Sequence, residues 1–359
     1  MKSFGLWYKG KNDTNKENGK DPIFSVHINF WSESVKHDNS IPSLDVGIKI
    51  KSFRNVNEVV FHCPFIVEND SLTDLIPKLC KLENADIIFN TSGKIQAEDK
   101  YSTYSFTKNE HSENLLLFPL KQNVGTMYSL SEDVDKSDIV FDISRLNKYL
   151  GQKGKFSNID EIYLRFRISS AKLKKNIYFD CEPYNKSFES AFSGTRIFDF
   201  KINEKRNLSP EKMTKMDMEQ YKFCEIDDIH LLLMEPSSYD VESFADTQMT
   251  CRELENDIWN DYLDLTADTD LDYSKGRILA YHWKFEKGCS CLIKVKYSKT
   301  NLKTLSAYIL IALSIGVVGS TIVAMVQAIC EVKCVNFSWW AYGVGAVLFV
   351  IGVFLGKTK

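Results

Sequence analysis

Polar and apolar positions alternate in short runs through the first 300 residues, and stop alternating over the last 55. Aromatic and β-branched runs predict strands at Phe24–Phe30, Leu44–Phe53, Val56–Phe65, Asp86–Asn90, Leu115–Leu120, Ile139–Ile143, Glu161–Ile168, Asn176–Cys181 and Arg196–Ile202. In the strand at Glu161, the charges of Glu161, Arg165 and Arg167 alternate with Ile162, Leu164, Phe166 and Ile168, which predicts one buried and one wet face. Short helices are expected at Leu72–Leu82 and Ile143–Tyr149. Ser209 followed by Pro210 reads as an N-cap and first helical residue, opening a helix toward Lys222. A further helix is expected from Tyr239 to Tyr262, and strands at Asp228–Met234, Arg277–Phe285 and Cys291–Tyr297.

Two uncharged apolar stretches follow, Leu305–Ile329 with 25 residues and Trp339–Leu355 with 17. A helix needs about 20 residues to cross the hydrocarbon core of a bilayer. Backbone polar groups in lipid must pair within their own segment, so Gly- and Val-rich runs of this length become helices there. The expectation is a transmembrane hairpin. Lys294, Lys296, Lys299 and Lys303 precede it and Lys357 and Lys359 follow it, which places both termini in the cytoplasm under the positive-inside rule. Met1–Asp21 is polar, without the apolar core of a secretory signal. The expected fold class is therefore mainly β, an antiparallel sandwich or barrel-like cytosolic domain with interspersed helices, plus a C-terminal two-helix transmembrane hairpin. The expected order is a polar N-terminal segment 1–21, a β-rich cytosolic domain 22–208, a mixed α/β continuation or second subdomain 209–300, and the hairpin 304–356. The expected location is the inner (plasma) membrane, multi-pass.

Within the first apolar stretch Ala312, Gly316, Ser320, Ala324 and Ala328 recur every four residues, and Gly352 and Gly356 repeat that spacing in the second. Small residues let helices approach closely in lipid, so the stripe marks a packing face, either within one hairpin or between the hairpins of a homo-oligomer. Ser306, Leu313, Ser320 and Gln327 recur every seven residues and add polar groups nearby. No Asp, Glu, Lys or Arg lies inside either span to make an ion-selective ring.

A formal net charge of -3 argues against general nucleic-acid affinity, and no sequence-specific nucleic-acid binding is expected. The 9 cysteines show no repeated CxxC spacing, as in a reducing compartment. Cys330 and Cys334 differ, because the expected topology puts them at the outer mouth of the hairpin, as a disulfide or as two free thiols. No metal or cofactor is expected. Asp268, Asp270 and Asp272 open like a calcium loop, but Tyr273 stands where the turn glycine belongs. His282, Cys289 and Cys291 lack a fourth ligand. Asn90–Lys94 lacks the upstream glycine of a P-loop. The remaining candidate is a basic group, Arg165, Arg167, Lys172, Lys174 and Lys175 with Arg196 in a later turn, which suits an anionic ligand such as a nucleotide or is a solvated sheet face.

The Lys-flanked hairpin Leu305–Leu355, together with the absence of catalytic motifs in residues 1–300, resembles the two-transmembrane effectors of bacterial antiphage systems, of the retron or cyclic-oligonucleotide type. That resemblance implies a non-enzymatic protein whose cytosolic domain, triggered by a regulatory protein or a nucleotide, clusters the hairpins and permeabilises the membrane. The alternative is a tail-anchored scaffold or binding protein whose helices are only a tether.

Overall fold

The computed structural model describes residues 2–11, 21–35, 41–97, 101–108, 111–122, 125–133, 135–153, 159–181, 192–254, 256–263, 271, 276–298, 302–331 and 343–351. The described chain is mainly β, with strands over 49% of it. It divides into two compact units, the first Met1–Phe179 with Ile197–Lys294, the second Asp180–Arg196 with Val295–Lys359.

The first unit is organised by a ten-stranded sheet. Its path runs β19 (Thr250–Glu253), β20 (Ile278–Lys287), β17 (Ile226–Pro236), β2 (Ile23–Trp31), β3 (Ser43–Lys51), β13 (Glu161–Ser169), β8 (His111–Leu117), β7 (Ser102–Lys108) and β6 (Gly93–Ala97), with the short β5 (Leu72–Asp74) also on β13. Pairing is antiparallel except for β17 on β2 and β13 on β8. A five-stranded sheet contains β1 (Gly5–Gly10), β4 (Val56–Cys63), β11 (Tyr128–Asp133), β12 (Lys136–Asp142) and β16 (Lys222–Phe223). Aromatic side chains fill the space between these sheets: Phe166 of β13 meets Phe61 of β4 and Phe141 of β12, with ring centroids 5.5 and 5.4 Å apart. The opposite face of the large sheet carries a second core, in which Trp31, Tyr163 and Met234 pack with Leu75, Leu79, Trp259 and Tyr262 from helices and their flanks. β13 is thus covered on both sides, and the wet face expected for Arg165 and Arg167 is corrected: they are 0% and 6% exposed.

Other local differences have local causes. Asp86–Asn90, expected as a strand, belongs to the helix Leu82–Phe89, which Asn90 ends in the left-handed conformation that asparagine tolerates. The helix expected from Tyr239 is two short strands, β18 (Asp240–Ser243) and β19, before a helix forms only at Asn256–Leu263. β1 lies inside the segment expected to be polar, and buries Leu6 and Trp7. Ser209 does cap the helix Pro210–Met218, its hydroxyl accepting from the Lys212 amide at 3.2 Å.

The second unit holds a 30-residue helix, Leu302–Glu331, and a nine-residue helix over 343–351. Among the described residues one helix, not two, is long and apolar enough to cross a membrane.

Candidate functional site

The apolar helix satisfies the physical requirements of a span with its own atoms. Its stretch Leu305–Val326 has 22 residues and mean hydropathy 2.5, and only 6% of it is buried in the protein. Ile309, Leu313, Ile315, Ile322 and Val323 all stand outward, at 52–63% exposure. In water such a surface loses about 25 cal/mol for every Å² left uncovered, which favours lipid. Two of its hydroxyls are bonded within the helix. Ser314 donates to the Ile311 carbonyl at 2.6 Å and Thr321 to the Val317 carbonyl at 2.6 Å, so each is satisfied one turn back along the same helix.

One stripe of this helix is covered. Ala307 and Ser314 are buried, and Thr321 follows at the same seven-residue interval, half-buried. The nine-residue helix packs here through Gly345, where a Cβ would stand 3.5 Å from side-chain methyls of Val317 and Val318 and 3.8 Å from the Ser314 carbonyl oxygen. The stripe expected from the sequence lies elsewhere: Ala312, Gly316 and Ser320 are exposed, Ala324 is half-buried, and a Cβ on Gly316 would meet nothing within 4 Å. The side chains of Gln327, Ala328 and Cys330, and residues Cys334, Gly352 and Gly356, lie outside the described residues, so the outer-mouth disulfide falls there too.

The first unit contains a buried charge cluster, assembled from β2, β3, β13 and the helix Asn256–Leu263. Asp45, fully buried, accepts from Arg167 Nε at 2.6 Å and Nη2 at 3.0 Å, from Trp31 Nε1 at 3.0 Å and from the Tyr262 hydroxyl at 2.9 Å. Burial alone pushes the Asp45 carboxyl upward, but the Arg167 guanidinium, with Arg165 and the Trp31 N–H behind it, holds it below its usual range. Arg165 is buried without a carboxylate of its own. Its Nε donates to the Tyr262 hydroxyl at 2.7 Å and its Nη1 to the Tyr163 hydroxyl at 2.8 Å, and the Asn29 amide oxygen, in the orientation that satisfies its neighbours, accepts from Nη2 at 3.0 Å. Tyr163 reaches this position because residue 47 on the next strand is glycine: a Cβ there would stand 1.9 Å from the Tyr163 oxygen.

The same sheet face continues into a row of histidines. Tyr163 meets His27 Nδ1 at 2.9 Å, the His27 and His230 rings lie edge to face at 5.2 Å, and His230 Nδ1 meets His282 Nε2 at 3.0 Å. Burial first, then the charges of Arg165 and Lys49 with the neighbouring rings, hold His27 well below its ordinary range. Burial with His230, Arg252 and Lys284 holds His282 at about 4. Three histidines in line suggest a metal, but the full charges that hold His27 and His282 down are cations, and among the described residues no group of three or more His, Cys, Asp or Glu is arranged to hold one.

The basic group expected to meet an anion is not brought together. Arg165 and Arg167 are consumed by the buried cluster, Lys172 binds the Ile66 carbonyl and Glu68, each at 3.2 Å, and Lys174 pairs with Glu33. Lys175 is exposed. Arg196, in the second unit, donates to Asp180 at 3.0 Å and lies 4.7 Å from the centre of the Tyr297 ring. Asp268, Asp270 and Asp272 lie outside the described residues. Cys289 and Cys291 are buried, and burial pushes both thiols up. Sequence spacing gave no hint of Asp45, Tyr163 or Tyr262, because they come from three elements far apart in the chain.

The chain matches no protein-family model and no curated protein. Among solved structures, the Fcho1 Mu homology domain of Danio rerio with bound Eps15 peptide is similar over 78% of this chain and 77% of that one, at 10% identity and a TM-score of 0.16. A likeness that loose carries no argument about ligand or partner.

Proposed function

We propose that the protein is a membrane-anchored, non-enzymatic effector whose β-rich unit controls assembly of a C-terminal two-helix module in the inner membrane. The observation that carries this reading is the helix Leu305–Val326, only 6% of which is buried, with Ile309, Leu313, Ile315, Ile322 and Val323 standing outward. The contact of Gly345 with Ser314, Val317 and Val318 supports a hairpin, with the helix over 343–351 folded against the first. The separation of the two stripes supports assembly between chains. Gly345 uses the side bearing Ser314, while Ala312, Gly316 and Ser320 stay open for helices of other copies to approach closely. Both termini lie on the cytosolic side in this reading, and clustering of hairpins permeabilises the bilayer, as in abortive-infection defence against phage.

Full-length protein reconstituted into dye-loaded vesicles tests it. Dye is expected to escape as the protein-to-lipid ratio rises, and Gly316→Leu is expected to suppress escape while the protein still sediments with the vesicles. Release that persists undiminished in Gly316→Leu and Ser320→Leu removes the proposed assembly face. Protein extracted from membranes by alkaline carbonate removes the membrane reading altogether.

A further inference from the structure

Polar groups on five strands of the ten-stranded sheet touch in succession on one face. Thr250 Oγ1 on β19 meets His282 Nδ1 on β20 at 3.3 Å, and His282 Nε2 meets His230 Nδ1 on β17 at 3.0 Å. His27 on β2 crosses the His230 ring edge to face, and its Nδ1 meets the Tyr163 hydroxyl on β13 at 2.9 Å. That hydroxyl also accepts from Arg165, and it donates to His27 in the tautomer whose Nδ1 is bare. The rings of His230 and His282 are inclined by only 4°, with centroids 5.2 Å apart, so they are joined in one plane, edge to edge. A hydrogen bond between two ring nitrogens holds one proton and needs one bare nitrogen. Both rings cannot be imidazolium and keep that contact.

The surroundings make any added proton costly. The cations that act on His27 are Arg165 on β13 and Lys49 on β3, and those that act on His282 are Arg252 on β19 and Lys284 on β20. The carboxylates near them are already engaged, Glu161 and Glu113 with Lys49 at 2.7 and 3.7 Å and Asp228 with Lys284 at 2.7 Å. The Tyr163 phenol also touches the row, and burial pushes its titration upward. Thr250 is the side-chain tie between this row and β19, an edge strand whose four residues are all exposed.

We infer that the His27–His230–His282 row is a proton-operated latch, which when neutral fastens β19 and β20 to the centre of the sheet and when protonated releases them. Imidazolium at His282 and His230 loses the shared hydrogen bond and repels Lys284, Arg252 and Arg165, while water accepts the displaced strand edge. Released rings titrate near 6.5 and the latched His282 near 4, so release takes up protons and is driven as pH falls through that interval. This stands apart from the membrane reading, since it concerns only the first unit.

Hydrogen exchange of the full-length protein in detergent, corrected for the intrinsic pH dependence of exchange, tests the latch. Between about pH 7.5 and about pH 5, exchange of 250–253 and 278–287 is expected to rise about tenfold or more, the change given by one pKa unit of differential proton binding. His282→Gln, which keeps donor and acceptor but does not titrate, is expected to remove most of that rise. An equal rise in the Gln variant overturns the latch. Should His282→Gln unfold the sheet at neutral pH, the native protein decides: opening confined to β19 and β20 upholds the latch, and exchange that is unchanged down to about pH 4, or that rises uniformly over the sheet, overturns it.

Discussion

The two units invert one another. In the first, full charges lie inside: Asp45, Arg165 and Glu235 are 0% exposed and Arg167 is 6% exposed. In the second, apolar side chains lie outside: Ile315 is 63% exposed and Val323 is 56% exposed. Each arrangement is costly unless its groups find the right surroundings. The first unit supplies them internally, with four donors on Asp45 and two hydroxyls on Glu235, from Ser32 at 2.9 Å and Tyr178 at 2.6 Å. Among its described residues the second supplies none to its outward side chains, an arrangement that suits lipid. The buried carboxylates Asp45 and Glu235 thus find their partners inside their own unit, whereas the outward side chains of the apolar helix do not.

The largest effect is expected from breaking the internal half of this comparison. Asp45→Ala leaves Arg165 and Arg167 buried with no carboxylate between them, and removal of one partner from such a pair costs about 3–5 kcal/mol. Denaturant unfolding followed by tryptophan fluorescence reads it, because Trp31 and Trp259 lie against the cluster with ring centroids 5.3 Å apart. Membrane association of any protein that remains folded should not change. A loss below about 1 kcal/mol would mean that water reaches the guanidinium groups and that the cluster is not dry.

Gly47 provides a smaller test of the same packing. Gly47→Ala places a methyl where the Tyr163 oxygen now lies, and overpacking of this kind costs about 1–3 kcal/mol. In Tyr163→Leu the obstructing hydroxyl is gone, so the cost of Gly47→Ala should shrink there. A double-mutant cycle on thermal unfolding measures the coupling. Additive effects would show that the alanine is accommodated by movement of β3 instead.

How much of this was legible in the sequence follows from which physics each part obeys. The apolar helix was plain, because 22 residues without a charge have few alternatives in any surroundings. The strands carrying Phe24, Leu44, Val56 and Arg165 were also legible, since period-two alternation is local. Whether the polar side of an alternating strand faces water is not local. Glu161, Arg165 and Arg167 share that side of β13, yet Glu161 sits at the strand end while the other two lie under a helix more than 80 residues downstream. Likewise the small-residue spacing of Ala312, Gly316 and Ser320 announced a packing face, but the seam that the structure uses is on Ala307, Ser314 and Thr321. Gly345 of the second helix distinguishes the two, and which side of the first helix it meets is not written in the spacing of that helix.

The membrane half of the comparison is sharpened by two glycines of opposite environment. Gly345→Leu pushes side-chain atoms into Val317 and Val318, whereas Gly316→Leu extends into open space within its own chain. The first is expected to weaken the pairing of the two helices by about 1 kcal/mol, in the range measured for single packing contacts in bilayers, and so to raise protease sensitivity of the C-terminal fragment in micelles. The second should leave that sensitivity unchanged and alter only the size of the assembly. Equal protease sensitivity in the two variants would erase the distinction between inner and outer stripes.

Protons act on the first unit alone. His282 is held near 4 when folded against 6.5 ordinarily, so the unfolded chain binds its proton more readily, and the stability it contributes is fully present above about pH 6.5 and lost as pH falls toward 4. The full shift converts to about 3 kcal/mol, but the ring is only half-buried and solvent screening reduces this to about 1–2 kcal/mol. His27 shifts in the same direction and adds to the same slope. The midpoint of denaturant unfolding should therefore fall between pH 7 and pH 5 in the native protein and fall less in His282→Gln. Carboxylates below their ordinary range, Asp45 and Asp138 among them, lose their contribution at lower pH, below about 4. A decline that begins only there, with no slope above pH 5, would assign the acid sensitivity of the first unit to its buried ion pairs and leave the histidines neutral spectators of the fold.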